Sequence, residues 1–230
     1  MSTPPHQPGR SSDPVVKKHV KFMAVHYVEV HRPRALAQLQ AYAAIEPFAR
    51  RAAVVGGGHL PDGVTLHDHQ RRIPVPPNAF PDALPQCSER LGSLAPHLAA
   101  AETFERLHSM IRRATSGEFD IRGIGDLSVY DFAQRLGHPR LLPQEVYLHT
   151  GAAVGARHLA TVMGRDPWEG TIPMKELPKV WQKRLDAADV EDVLCHFKDA
   201  LRQLAEHRVP VYGKSCGCPG GPAANGYDVP

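Results

Sequence analysis

No stretch of this 230-residue chain holds about 18 uninterrupted apolar residues, so a membrane span is not expected. The opening "MSTPPHQPGRSSDP" lacks the apolar core of a signal peptide. Cysteine is scarce. Cys87, Cys195, Cys216 and Cys218 form no C-x-x-C pair and no even framework of a short secreted chain, which points to reduced thiols in a cytoplasmic protein. The chain has no P-loop, no dinucleotide fingerprint and no Gly-x-Ser-x-Gly, and it therefore lacks those nucleotide-binding and serine-hydrolase devices. Strand-like alternation is weak throughout, and nothing repeats at solenoid periods. Charge of one sign is not in large excess. With 27 basic and 24 acidic residues the formal net charge is +3, which permits an anionic partner without demanding one.

Hydrophobic residues make up 42% of the chain, enough for a packed core. The 14 histidines raise the question of pH sensitivity or metal affinity. Residues 1–14 are polar and Pro/Ser-rich and read as a disordered tail, and residues 211–230 read as a flexible C-terminal one. Between them, residues 15–210 read as one compact all-α, multi-helix domain. "VVKKHVKFMAVHYVEVH" is rich in β-branched and aromatic residues and fits a strand, or a helix using Val16, Val20, Met23, Tyr27 and Val30, with the helix preferred. "PRALAQLQAYAAIEPFARRAAVV" is Ala/Leu-rich and predicts a second helix. "GGGHLPDGVTLHDHQRRIPVPP" predicts a loop. Phe104, Leu107, Ile111 and Ala114 share one face of a helix over about residues 101–115, which Gly117 can end. Val129, Phe132, Ala133 and Leu136 define a face of the next helix. "GAAVGARHLATVMG" predicts a small-residue helix. "DVEDVLCHFKDALRQLAEH" predicts the last one, with Val190, Val193, Leu194, Phe197, Leu201 and Leu204 on one side and acids, Lys198 and Arg202 on the other.

The stretch "DIRGIGDLSVYDFAQRL" carries the main functional signal. An amphipathic helix, a short connection, Arg122-Gly123-Ile124-Gly125 and a second helix from about Asp126 follow in the order of a helix-hairpin-helix element. Glycines at 123 and 125 allow positive φ and close approach of another backbone. Ile124 can plug the space between the helices. The amides at the start of the second helix, aided by its dipole and by Arg122, suit a nucleic-acid phosphate. Such a grip holds the backbone without reading bases. Asp126 caps this helix well but competes for the same amides. The rival reading is a tight turn between two packed helices.

"FDIRGIGDLSVYDFAQRLG" resembles the hairpin of the helix-hairpin-helix DNA glycosylase superfamily, with Gly123-Ile124-Gly125 matching its glycines and Ser128-Val129 standing where Thr-Ala is expected. "HQRRI", "IRGIGDLSVYD", "VYLHTGAAVGAR" and "VEDVLCHFKD" also resemble blocks shared by a group of small bacterial proteins, over about residues 68–200. The superfamily resemblance implies a DNA-binding helical enzyme that hydrolyses the N-glycosidic bond of a damaged or modified base. Many such enzymes carry a catalytic Lys two residues after the second hairpin glycine, where this chain has Leu127. Their key Asp has no counterpart in "EVYLHTG", which offers Glu145 and His149. The resemblance therefore leaves a monofunctional hydrolase with a rearranged acid.

Asp131, one turn into the second helix, is the first candidate for activating water or stabilising an oxocarbenium sugar. Tyr130 stands beside it. In "VYLHT", Tyr147 and His149 could stack on and hydrogen-bond an extruded base. Lys198 shares a predicted helix edge with Glu191 and Cys195 and could act as a Schiff-base amine; a surface ladder with a buried thiol is the favoured reading of that edge. Gln70, Arg71 and Arg72 suit phosphate and base-edge contacts, or a solvated loop. His67-x-His69 and Cys216-Gly-Cys218 lack partners at zinc-like spacing, so neither a metal nor a cofactor is expected. The sequence thus predicts DNA as the partner, with Asp131, His149 and Lys198 as catalytic candidates, Arg122, Gly123, Ile124, Gly125, Gln70, Arg71 and Arg72 as DNA contacts, and Tyr130 and Tyr147 at a base pocket. No obligate protein partner is evident. The alternatives are a non-catalytic DNA-binding module, or a helical domain for a small molecule or protein.

Overall fold

The structure is a computed structural model that describes residues 13–61, 80–116 and 121–212. It is mostly helical, with one two-stranded ribbon that the sequence did not suggest. The chain groups into two compact units. One spans Arg32–Gln144; the other joins the residues up to His31 with those from Glu145 onward.

The Arg32–Gln144 unit begins with α2 (Arg32–Ala43) and α3 (Phe48–Gly56), after α1 of the other unit. The sequence predicted a single helix here. It breaks because Pro47 cannot donate a backbone hydrogen bond or fit a helix interior, and it takes extended backbone ahead of Phe48 instead. The buried Arg51 guanidinium then donates to the carbonyls of Ala43 (2.5 Å) and Ile45 (3.2 Å) left open by the end of α2, and pairs with Glu46 at 3.0 Å. Helices α4 (Ala83–Ser93) and α5 (Ala95–Ala99) follow. A Cβ on Gly56 would lie 2.6 Å from the Cys87 carbonyl oxygen, so α3 and α4 touch backbone to backbone. Burial pushes the Cys87 thiol up to about 12, which makes it a core residue and not a nucleophile.

Helix α6 (Phe104–Ser116) is capped by Thr103, whose hydroxyl accepts from the Arg106 amide at 3.1 Å. Its Phe104, Leu107, Ile111 and Ala114 are all buried, as their spacing predicts. Helix α7 (Asp126–Gly137) follows; residues 128–137 are buried without exception. It is the central helix of its unit, so Asp131 and Tyr130 are enclosed together with Val129 and Phe132.

The other unit starts with α1 (Pro14–His26), capped by the Asp13 carboxylate on the Val15 amide at 2.8 Å, with Pro14 at a position that needs no amide. A π-helical turn, Tyr27–His31, ends it. After the other unit comes β1 (Glu145–Tyr147), antiparallel to β2 (Thr171–Pro173), with Val146 opposite Ile172. Between these strands lies α8 (Thr150–Met163); after them come a short 3-10 turn, Met174–Glu176, and α9 (Lys179–Gln182). Trp181 fills the core and donates its indole N–H to the Val20 carbonyl at 2.8 Å. Tyr212, assigned from sequence to the tail, packs its ring 4.5 Å from Phe22 and shares a 2.9 Å hydrogen bond with His19.

The last predicted helix is two helices, α10 (Ala187–His196) and α11 (Lys198–Ala205), broken at Phe197. The six apolar residues expected on one side are all buried. The acids expected on the solvent side are not outside: Asp189, Glu191 and Asp192 are buried too. Asp189 completes a capping box with Asp186, and Asp192 accepts from the Tyr27 hydroxyl at 2.6 Å. Small residues on α8 let α10 come close. A Cβ on Gly155 would overlap the Leu194 carbonyl, and one on Gly151 would overlap the Cys195 sulfur.

These contacts set a stability contrast. Gly155→Ala is expected to lower stability by about 2 kcal/mol or more, because backbone must move to admit the methyl group. Gly92→Ala places its methyl 3.5 Å from the Ala53 Cβ, an ordinary contact, and is expected to be neutral or stabilising by under about 1 kcal/mol. Urea unfolding of the two variants checks the pair, and equal effects would contradict the packing described.

Candidate functional sites

Between α6 and α7 the chain turns at residues 121–125. The Ile121 amide donates to the Thr115 carbonyl at 2.9 Å, and the Ile124 amide closes a tight turn onto the Ile121 carbonyl at 3.1 Å. Gly123 has φ +96°, and a Cβ there would meet the Phe80 ring at 2.6 Å, so both conformation and space demand glycine. Ile124 is buried, as expected of a plug. Gly125 is different: its backbone is extended, and a Cβ on it would meet nothing within 4 Å. Nothing in the described chain requires glycine at that position.

Gly125 is the residue ahead of α7, and its carbonyl accepts the first helical bond, from Val129 at 3.1 Å. Among the described residues, no acceptor takes the amides of Asp126, Leu127 and Ser128. The competition expected from Asp126 is absent from this geometry, because its carboxylate reaches across to Arg112 on α6 at 2.9 Å. Arg122 is exposed beside the turn. A polar hollow of about 260 Å³ lies next to it, lined by Ile121 and, from α4, by Gln86, Glu89, Arg90 and Ser93. Charge, dipole and bare amides therefore meet at one corner of this unit.

The chemistry candidates on α7 sit deeper. Asp131 is 7% exposed. Burial holds the neighbouring Tyr42 hydroxyl above its ordinary value; Arg135, stacked 5.2 Å over the Tyr42 ring, opposes that shift, and Asp131 adds to it. Asp131 thus shares a buried polar cluster with Tyr42 and Arg135. Tyr130 accepts from the Gln134 amide at 2.9 Å and packs edge-on against Phe104, so its ring faces protein.

His149 and Lys198 belong to the other unit. His149 directly precedes α8, and its Nδ1 lies 3.6 Å from the Glu191 carboxylate on α10, both side chains being buried. Cys195, one turn after Glu191, packs against Gly151. Tyr147 is half-buried on β1. Lys198 opens α11, beyond the break at Phe197. The helix edge predicted to join it to Glu191 and Cys195 is therefore interrupted. Sequence reasoning missed Glu191 as a partner of His149, and it missed Tyr27 and Asp192. It also missed the His31 and His196 rings, whose centroids lie 4.5 Å apart at a tilt of 36°. The available signal was the run Asp189-Val-Glu-Asp192 inside an apolar helix, since three acids there need three partners.

Gln70, Arg71 and Arg72, with His67 and His69, lie outside the described residues, as do Cys216 and Cys218. Among the described residues, no group of three or more His, Cys, Asp or Glu side chains is placed to hold a metal ion, and no helix is long and apolar enough to cross a membrane. No known protein family, curated protein or solved structure matches the chain.

Several imidazoles titrate below their ordinary value, burial being the largest cause in each. Lys18 adds to the effect at His19, Arg112 at His108, and Arg202 and Arg157 at His158, while Glu29 opposes it at His26. These groups bind a proton more weakly folded than unfolded. Their share of stability is intact above the ordinary imidazole value of about 6.5 and is lost as pH falls through it. Thermal melts from about pH 7.5 to about pH 5.5 are expected to show a falling midpoint. A midpoint that is flat or rises over this range contradicts the assignment.

Proposed function

We propose that this protein binds the sugar-phosphate backbone of DNA through the turn and first helical residues at 122–128, used as a helix-hairpin-helix element. The observation that carries the reading is Gly125. It answers no packing need within the described chain, and among the described residues no acceptor takes the first amides of α7. The amides of exposed Asp126 and half-buried Leu127, at the positive end of a 12-residue helix, would form a site for one phosphate, while Ser128 is buried. Arg122 adds a charge at the same corner, and Gln70, Arg71 and Arg72 would extend the contact. Binding of this kind positions a strand and carries no sequence information of its own.

The test is anisotropy of a short labelled duplex over a range of salt. Affinity is expected to fall linearly in log–log form, and Arg122→Ala to reduce the slope by about 1. Gly125→Glu has room for its Cβ and brings a carboxylate to the start of the helix; a loss of about tenfold or more is expected, with unfolding free energy changed by less than about 0.5 kcal/mol. Unaltered affinity in both variants would remove the hairpin from the interface.

A second reading adds hydrolysis of an N-glycosidic bond, and the imidazole–carboxylate pair His149–Glu191 favours it. The two buried side chains lie 3.6 Å apart, and closer approach would let the carboxylate orient the imidazole as a general base. Asp131, held in its cluster with Tyr42 and Arg135 and as buried as Glu191, is the other acid candidate. Incubation with DNA carrying modified bases, followed by abasic-site detection, separates the readings. Product lost in Glu191→Gln with DNA affinity kept supports hydrolysis at that pair; product lost only in Asp131→Asn returns the role to α7. Binding without product on any substrate leaves the module reading.

A further inference from the structure

The unit that carries α1 and α8 contains a cavity of about 530 Å³, open on one side. Its walls are aliphatic and come from three places: Val16 and Val20 on α1, Leu159 and Met163 on α8, and Leu177 and Val180 around the start of α9. The volume lies in the range of small-molecule sites. The charge at its edge is of one sign. Lys17 and Lys21, one turn apart on α1, and Lys179 on α9 line it, and no carboxylate does. All three lysines are exposed, and no carboxylate among the described residues pairs with them. Glu176, next in sequence to Leu177, is held elsewhere, accepting from Arg165 at 2.7 Å and from the Trp168 indole at 2.8 Å.

We infer that this cavity binds a free amphiphilic carboxylate, with a single acyl chain in the aliphatic interior and the anionic head between the lysines. The two halves of the site select this class together. Aliphatic walls favour a chain that leaves water. Two lysines at i and i+4 repel each other until an anion stands between them, and their long stems can lie along the apolar rim while the ammonium groups reach the head. A polyanion such as nucleic acid would satisfy the lysines and leave the walls wet. A neutral oil would do the reverse. The inference is independent of the DNA reading, since the cavity and the 122–128 turn belong to different units.

The experiment is calorimetric titration of the full chain with octanoate, decanoate and dodecanoate, and with decanol as the uncharged control. Saturable binding is expected, tightening about fourfold for each added methylene until the cavity is full. Decanol should bind at least about tenfold more weakly than decanoate. Lys17→Gln, Lys21→Gln and Lys179→Gln combined should bring decanoate down to the level of decanol and leave decanol unchanged. Met163→Trp, which fills the cavity from its edge, should abolish both, with an unchanged thermal melt showing that the fold survives. No saturable heat with any chain length overturns the inference. So does equal binding of decanoate and decanol, and so does a protein that sediments with phosphatidylglycerol vesicles while ignoring free decanoate.

Discussion

Helix α7 is buried along residues 128–137, and that enclosure governs how its unit can meet a ligand. A helix sealed on every side can offer the outside only an end. The start of α7 is the end that faces outward, because Gly123 takes a positive φ against Phe80 and Ile124 closes the space beneath the turn. Amides that a helix cannot use itself must find water, a side chain or a ligand. Asp126 could have covered them and pairs with Arg112 instead. The same enclosure bears on chemistry: an acid in the middle of α7 is well placed to organise Tyr42 and Arg135.

The second unit rests on a different constraint, the close approach of α8 and α10. Gly151 and Gly155 remove the side chains that would hold the helices apart, and α10 can then present Glu191 beside His149. Buried carboxylates are costly unless each is matched. Here the matches come from three directions: the local capping box for Asp189, the start of α8 for Glu191, and the end of α1 for Asp192. Tyr27 joins an N-terminal helix to a C-terminal one across 165 residues of sequence, with burial and the Asp192 charge pushing its hydroxyl far above the ordinary value. The same unit keeps three exposed lysines, Lys17, Lys21 and Lys179, around an aliphatic hollow.

What could be read in advance follows from how local the signal is. The Phe104, Leu107, Ile111 and Ala114 face was legible because 3-4-3 spacing has one helical solution. The start of α7 at Asp126 was legible from the glycines before it. The break at Pro47 was hidden by an Ala/Leu-rich run in which propensity outweighed one proline. The break at Phe197 carries no glycine or proline; it comes from tertiary packing, with Phe197 itself buried. Glu191 read as a surface residue because its partner stands 42 positions away, and no local pattern announces a pair of that kind. The ribbon of Glu145–Tyr147 and Thr171–Pro173 is three residues a side, too short to show alternation.

The central claim is that the amides at the start of α7, for which the described residues hold no acceptor, take a phosphate. The most direct measurement is a backbone amide chemical-shift titration of the ¹⁵N-labelled protein with a short unlabelled duplex. The account predicts that the largest shifts fall on residues 122–128 and fade as salt rises. Shifts confined to other surfaces, or none at low ionic strength, would contradict it.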